Sequence, residues 1–348
     1  MLLRYLIFAA SILIYCKGYS QSSEANPPKQ SMEEKPYMVF SKNKLFPGTG
    51  SLLRPEDGVA LADGRVIVSD QAKGLRLIEK DGSTRAFGKF AEAGFVYAPP
   101  EKVSAPNGMN LEHDGQHVLM CDYGDGKIYR IEIKSEKVEL IYDHEYGVNS
   151  LYRDKSGAIW FTQSAKRPDG IDVPMPDGAV FRMADLKSAP VLVVDSLYLA
   201  NGITMDAEEK TLFVAESLMN RVHSFGVDVS AGKIINRGIA AIVLTPDNIV
   251  VDNKGRLIVA SPGGNQVIAF DLKSHSQHLF FDASTEESRK IADEWFFRSQ
   301  VGLPRRQLMT KKMYGDMPGL LTGAFFSKDG KTLYIANFGK DLVKVPIP

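Results

Sequence analysis

The strongest constraint on this chain is a unit repeated along it. Six segments share one grammar: an apolar strand, a tight polar turn, and a second strand ending in small or acidic residues. They are GVALADGRVIVSD (58–70), GMNLEHDGQHVLMCD (108–122), SLYRDKSGAIWFTQ (150–163), GITMDAEEKTLFVAE (202–216), IVVDNKGRLIVAS (249–261) and GAFFSKDGKTLYIAN (323–337). A third apolar strand follows each, such as KIYRIEI or QVIAFDL. The turns are Asp63-Gly64, Asp114-Gly115, Ser156-Gly157, Glu208-Glu209, Lys254-Gly255 and Asp329-Gly330. Asp-Gly and Lys-Gly between apolar runs favour hairpins, because glycine takes positive φ without steric cost. Strands such as TLFVA and RLIVA are apolar throughout, as expected when both faces are covered. The turns recur at roughly 40–50 residues, the period of a β-propeller blade, with a longer last step. The chain is therefore expected to be all-β, a six-bladed β-propeller around a central channel. A sandwich or a single barrel does not account for a near-constant unit repeated this often.

The last step is long because of residues 276–318, read as a helical insertion before the last blade and a candidate lid. Within it Ser284 and Glu287 have the spacing of a capping box, predicting a helix over 285–299 with Ile291, Trp295 and Phe296 as an apolar stripe. At the other end, residues 1–20 carry Arg4, an apolar run from Tyr5 to Tyr15 and small residues before Gln21. This is the pattern of a secretory signal peptide, and the run is short of the roughly 20 residues that span a bilayer. Export to the periplasm or extracellular space is expected, with no stable membrane span in the mature chain. Lipid anchoring at Cys16 is the alternative, disfavoured by the bulky Tyr15. Residues 21–44 are polar and contain prolines, reading as a flexible leader, so the propeller is assigned to 45–348. Cleavage leaves Cys121 as the one cysteine, a small core residue with no disulfide partner. Lys+Arg and Asp+Glu balance at 42 each, so no basic excess points to nucleic acid.

In a propeller the first strand of each blade lines the channel, so the residue leading into that strand faces one mouth. Five of these residues are Glu56, Asn107, Asn149, Asn201 and Asp247. Turn preference explains an occasional Asn-Gly or Pro-Asp, but not carboxamides and carboxylates at the same place in blade after blade. Ring symmetry would bring them together. Two carboxylates with neutral amide oxygens suit a hard cation such as Ca²⁺, and the lack of Cys and His among them argues against a dedicated zinc site. His113, His117, His144, His223, His275 and His278 are read as loop, turn or strand residues.

At these positions the chain resembles the gluconolactonase/regucalcin (senescence marker protein) family, with features of the paraoxonase/arylesterase lactonases. The likeness runs from about residue 50 to 348, apart from the 276–318 insertion. PEDGVALADGRVIVSD resembles the segment whose Glu is a metal ligand, here Glu56. GVNSLYRDKSGAIWFT and ANGITMDAEEKTLFVAESLMNRVHSF carry over Asn149 and Asn201, and PDNIVVDNKGRLIVA carries over Asp247, with Asn248 matching paraoxonases. Asp57 corresponds to a residue that holds a second, structural calcium there, so Asp57 and Asn248 are candidates for an additional metal contact. Paraoxonases place catalytic histidines where this chain has Asn107 and near Tyr123, so a histidine dyad is absent, and Asn107 and Tyr123 are assigned to substrate.

The resemblance implies a secreted, Ca²⁺-dependent hydrolase of lactones or related esters, with Zn²⁺, Mn²⁺ or Mg²⁺ as other acceptable ions. The metal would polarise the carbonyl, and Asp247 would act as base or water-orienting group. Two other readings fit the same pattern: a strictosidine-synthase-like propeller enzyme without lactonase activity, and a non-catalytic binding propeller plugged by calcium. The expected partner is a small-molecule lactone or ester.

Overall fold

A computed structural model describes residues 36–166 and 174–347. The expected signal peptide, most of the leader and the centre of the 165–178 loop lie outside the described residues. The described chain is a six-bladed β-propeller, as the repeat predicts, with a helix late in the chain before the last blade. Blades one to four are four-stranded sheets built in simple sequence order, for example Ala200–Met205, Thr211–Glu216, Arg221–Asp228 and Lys233–Ile242 in the fourth. The first strands touch one another in a closed ring that returns from Leu321–Phe326 to Gly58–Ala60.

Closure uses a strand that the repeat did not predict. Leu45–Phe46 pairs antiparallel with Val343 and Leu342, completing the last blade from the opposite end of the chain. Met38–Val39, within the expected leader, adds in parallel to the outer edge of the fifth blade. That edge strand is Gln277–Asp282, so the first residues of the expected insertion belong to the blade itself.

Strands apolar on both faces pack blade against blade, and each seam has its own core. Between blades one and two lie Leu75, Leu77, Met120 and Tyr129; across the closing seam, Val66, Val68, Tyr334 and Leu342. Close approach at the axis requires glycine. A Cβ on Gly202 would sit 2.5 Å from the Asp247 carbonyl oxygen, and one on Gly108 would sit 2.7 Å from Ser150 Cα.

The helix runs Glu286–Val301 and ends at Gly302, whose φ is 69°. Its capping box is one residue later than the spacing of Ser284 and Glu287 predicts. Thr285 Oγ1 accepts from Ser288 N at 3.1 Å, and Ser288 Oγ accepts from Thr285 N at 2.8 Å. Ser284 is drawn instead into the Asp282 turn, where its N donates to Oδ1 at 2.7 Å. Trp295 is buried but Phe296 is 49% exposed, because one further residue turns about 100° around the helix away from the propeller.

Candidate functional site

One mouth of the channel opens into a cavity of about 170 Å³ lined by Glu56, Asn107, Tyr123, Asn149, Asn201 and Asp247. The structure thus brings together in one place the predicted side chains from five blades. Asp57 and Asn248 line a separate cavity of about 320 Å³, although the Asn248 amide also reaches Glu56, with Nδ2 donating to Oε1 at 3.1 Å. Asp57 Oδ2 accepts from Met109 N at 2.8 Å.

The floor of the cavity is a set of buried oxygens without donors. Glu56 Oε2, Asn149 Oδ1 and Asn201 Oδ1 have no hydrogen-bond partner, and their residues are 1%, 6% and 6% exposed. A buried acceptor left unpaired costs about 1–3 kcal/mol, so several together call for a ligand. The amide orientations follow from their neighbours. Ser164 Oγ donates to the Ala200 carbonyl at 2.7 Å, so towards Asn149 it can only accept, which it does from Nδ2 at 2.9 Å. Ser217 Oγ donates likewise to the Pro246 carbonyl at 2.6 Å and accepts from Asn201 Nδ2 at 3.2 Å. With each hydroxyl proton committed, both amides must direct nitrogen to their serine, which leaves the amide oxygen as the unpartnered atom. The same serines tie the backbone just before Asn201 and Asp247, linking three consecutive blades. Asn107 differs: its Oδ1 accepts from Arg54 Nη2 at 2.9 Å, so its oxygen is spent on a cationic side chain.

Electrostatics agree with this geometry. Burial raises the Glu56 pKa well above the usual carboxylate range, with repulsion from Asp247 and Asp57 adding to it. Burial likewise pushes Asp247 up to about 7, against a pull downward from Asn201 and Arg54. Two buried carboxylates and two unpartnered amide oxygens lack a positive partner equal to their charge. These residues fit a hard divalent cation with oxygen ligands.

Four contributors escaped the sequence reading. Thr322 leads the sixth blade and donates from Oγ1 to the Glu56 carbonyl at 2.8 Å; aligning the last repeat as far as the residue before Gly323 would have found it. Ser164 and Ser217 each stand just beyond a second strand, a position the repeat alignment also marks. Arg54 sits two residues before Glu56 and carries no motif. The cavity's rim is apolar, from Leu199, Leu218, Met309, Met313, Leu320 and Phe338, with Trp295 of the helix among them.

The remaining titratable groups read as structural. Cys121 is buried and donates to the Asn149 carbonyl at 2.9 Å, His144 Nε2 bonds Gln163 Oε1 at 2.9 Å, and His223 pairs with Glu216 in a buried cluster. Glu112, Asp114 and His117 gather elsewhere, but Glu112 is neutralised by Arg130 and Arg153. Among the described residues no helix is long and apolar enough to cross a membrane.

Comparison with known proteins places this geometry in context. Residues 126–279 match the family model described as SMP-30/Gluconolactonase/LRE-like region. Lactonase drp35 of Staphylococcus epidermidis is 25% identical over 182 residues, 49% of this chain and 54% of that protein. Its counterpart from Staphylococcus saprophyticus is 26% identical over 180 residues, 48% of this chain and 54% of that protein. The chain spans about half the length of the curated relatives it matches. Among solved structures, a gluconolactonase from Xanthomonas campestris aligns with a TM-score of 0.61 at 20% identity, covering 86% of this chain and 88% of that one. A calcium-binding regucalcin from Agrobacterium tumefaciens aligns with a TM-score of 0.57 at 14% identity, covering 86% of each chain. The chain is a six-bladed propeller whose residues 126–279 are similar to the SMP-30/Gluconolactonase/LRE-like region.

Proposed function

We propose that the 170 Å³ cavity is the active site of a Ca²⁺-dependent hydrolase of lactones or related esters. The observation that carries this is the convergence of unpartnered Glu56 Oε2, Asn149 Oδ1 and Asn201 Oδ1 with Asp247 beneath an apolar rim. Glu56, Asn149, Asn201 and Asp247 would hold the ion, which when bound supplies Lewis-acid polarisation of a carbonyl oxygen. Similarity to lactonases and gluconolactonases supports the reaction class, and similarity to a calcium-binding regucalcin supports the ion.

The chain's own residues supply the rest. Asp247 orients the attacking water or takes its proton; positive charge nearby keeps the carboxylate ionised while lowering its basicity. Asn107 offers amide N–H groups, its oxygen being committed to Arg54. Tyr123 stands on the same wall for substrate contact. The rim excludes water from the polar floor, which strengthens every electrostatic interaction there.

The test is hydrolysis of δ-valerolactone and phenyl acetate with and without Ca²⁺, by wild type and Asp247→Ala. Expected is turnover that EDTA abolishes, Ca²⁺ restores and the substitution lowers by at least about a hundredfold. Turnover indifferent to both EDTA and the substitution would sink the mechanism. Tight Ca²⁺ binding with no turnover of any ester would leave a calcium-plugged binding propeller instead. Export through residues 1–20 is part of the same proposal, checked by fractionating cells that express the full chain.

A further inference from the structure

Arg54 enters the scheme above only as the partner of the Asn107 oxygen, yet it is placed at a cost. Its φ is 55°, in the left-handed region that non-glycine residues seldom occupy, a conformation worth about 1–3 kcal/mol that surrounding structure must hold in place. The surroundings do hold it. Nη1 donates to the Pro106 carbonyl at 3.1 Å, Nη2 donates to Asn107 Oδ1 at 2.9 Å, and the guanidinium lies 4.3 Å from the Phe338 ring centroid. Its backbone N–H donates to the Gly339 carbonyl at 3.1 Å; the remaining guanidinium N–H groups have no acceptor among the described residues, and the side chain lines the cavity. Burial works against its charge, which Glu56 and Asp247 favour.

A guanidinium beside a cation site is unfavourable for the ion, since like charges repel across a low-dielectric pocket. A chain selected only to bind a cation would not keep it there. We infer that Arg54 is a further catalytic residue: with the Asn107 amide it orients, it forms an anion-facing wall that receives the negative charge of the reacting acyl group. This rests on the hydrolase reading above. In that reaction the water oxygen bonds to the acyl carbon, the acyl C–O bond to the leaving oxygen breaks, and a water proton ends on the leaving alkoxide. The acid formed ionises to a carboxylate. Negative charge therefore appears first on the carbonyl oxygen and finally on both carboxylate oxygens, the planar acceptor a guanidinium fits. Carboxylate products thus leave against an attraction, and small carboxylates should inhibit.

The experiment compares wild type, Arg54→Gln and Arg54→Lys. Calorimetry measures Ca²⁺ binding, then binding of benzoate, a ring-sized carboxylate, to the Ca²⁺-loaded proteins; hydrolysis of phenyl acetate supplies kcat and KM. Arg54→Gln is expected to bind Ca²⁺ several-fold tighter, to bind benzoate about tenfold more weakly, and to lose kcat more than it changes KM. Arg54→Lys keeps the charge without the planar fork, so its Ca²⁺ affinity should match wild type while benzoate binding falls in part. The opposite directions for cation and carboxylate separate this role from a packing role, in which Arg54→Gln would weaken both ligands along with thermal stability. Loss of both, or benzoate affinity unchanged in Arg54→Gln, overturns the proposal while leaving wild-type hydrolysis intact. Wild type that neither binds Ca²⁺ nor hydrolyses phenyl acetate or δ-valerolactone overturns the hydrolase reading, and this inference with it.

Discussion

Replacing Trp295 by alanine should detach the segment between blades five and six without unfolding the propeller. Trp295 is 3% exposed and packs with Leu218, Met313 and Leu320, so one cluster joins the helix to strand ends of the fourth and sixth blades. Arg305 lies over its ring at 5.5 Å and donates from Nη1 to the Leu218 carbonyl at 3.1 Å, a second tie that depends on the indole. A buried tryptophan removes roughly 150–250 Å² from water, worth about 4–6 kcal/mol at about 25 cal/mol per Å². Truncations of this kind cost about 3–5 kcal/mol in practice. The blade seams keep their own cores, so the loss falls on local opening of the helix rather than on global stability. About 4 kcal/mol corresponds to roughly a thousandfold in an opening equilibrium. Native-state hydrogen exchange by mass spectrometry should show protection across 286–301 falling towards that factor, with the innermost strands unchanged. Protection of the helix kept within tenfold of wild type, or an equal loss spread over all six sheets, would refute the reasoning.

Other consequences can be tested together. Ser217→Ala removes the acceptor that fixes the Asn201 amide, so the amide can flip and present nitrogen where the oxygen stood; Ca²⁺ affinity measured by calorimetry should fall about tenfold, the worth of one net hydrogen bond. Acid stability should depend on Glu216: burial works to raise its pKa, but the carboxylate accepts from His223, Arg221 and Tyr198 N, and these donors pull it down to about 2. Because the folded pKa lies below the unfolded value near 4.5, its stabilisation is complete above about pH 4.5 and is lost as pH falls towards 2. Glu216→Gln should flatten that acid limb in urea unfolding, and should lower stability at pH 7 by about 3 kcal/mol through the charges it leaves unpaired.

Legibility in the sequence varied with the range of the physics involved. The turns were legible because positive φ is a local demand, met by Gly64, Gly115, Gly157, Gly255 and Gly330. Glu209 meets the same demand in the fourth repeat with φ 56° and no glycine. It is held there by tertiary contacts, its carboxylate accepting from Lys155 N at 2.9 Å and from the Tyr152 hydroxyl at 3.2 Å. Nothing local announces those partners, which come from the neighbouring blade. The helix was legible through its cap, but the choice between adjacent caps turned on Asp282 claiming the Ser284 amide.

The blade count, the apolar seams and the ring of leading residues can be read from the chain alone, because each depends on period and on position within a repeat. Which end of each amide is left unpartnered, where Arg54 goes, and how Leu45–Phe46 closes the ring depend on the folded molecule. An asparagine presents oxygen or nitrogen according to what its neighbour has left to offer, and that neighbour's proton is committed to a blade further on. A closed ring settles such choices all at once, through contacts between residues far apart in the chain, and no repeat carries that information alone.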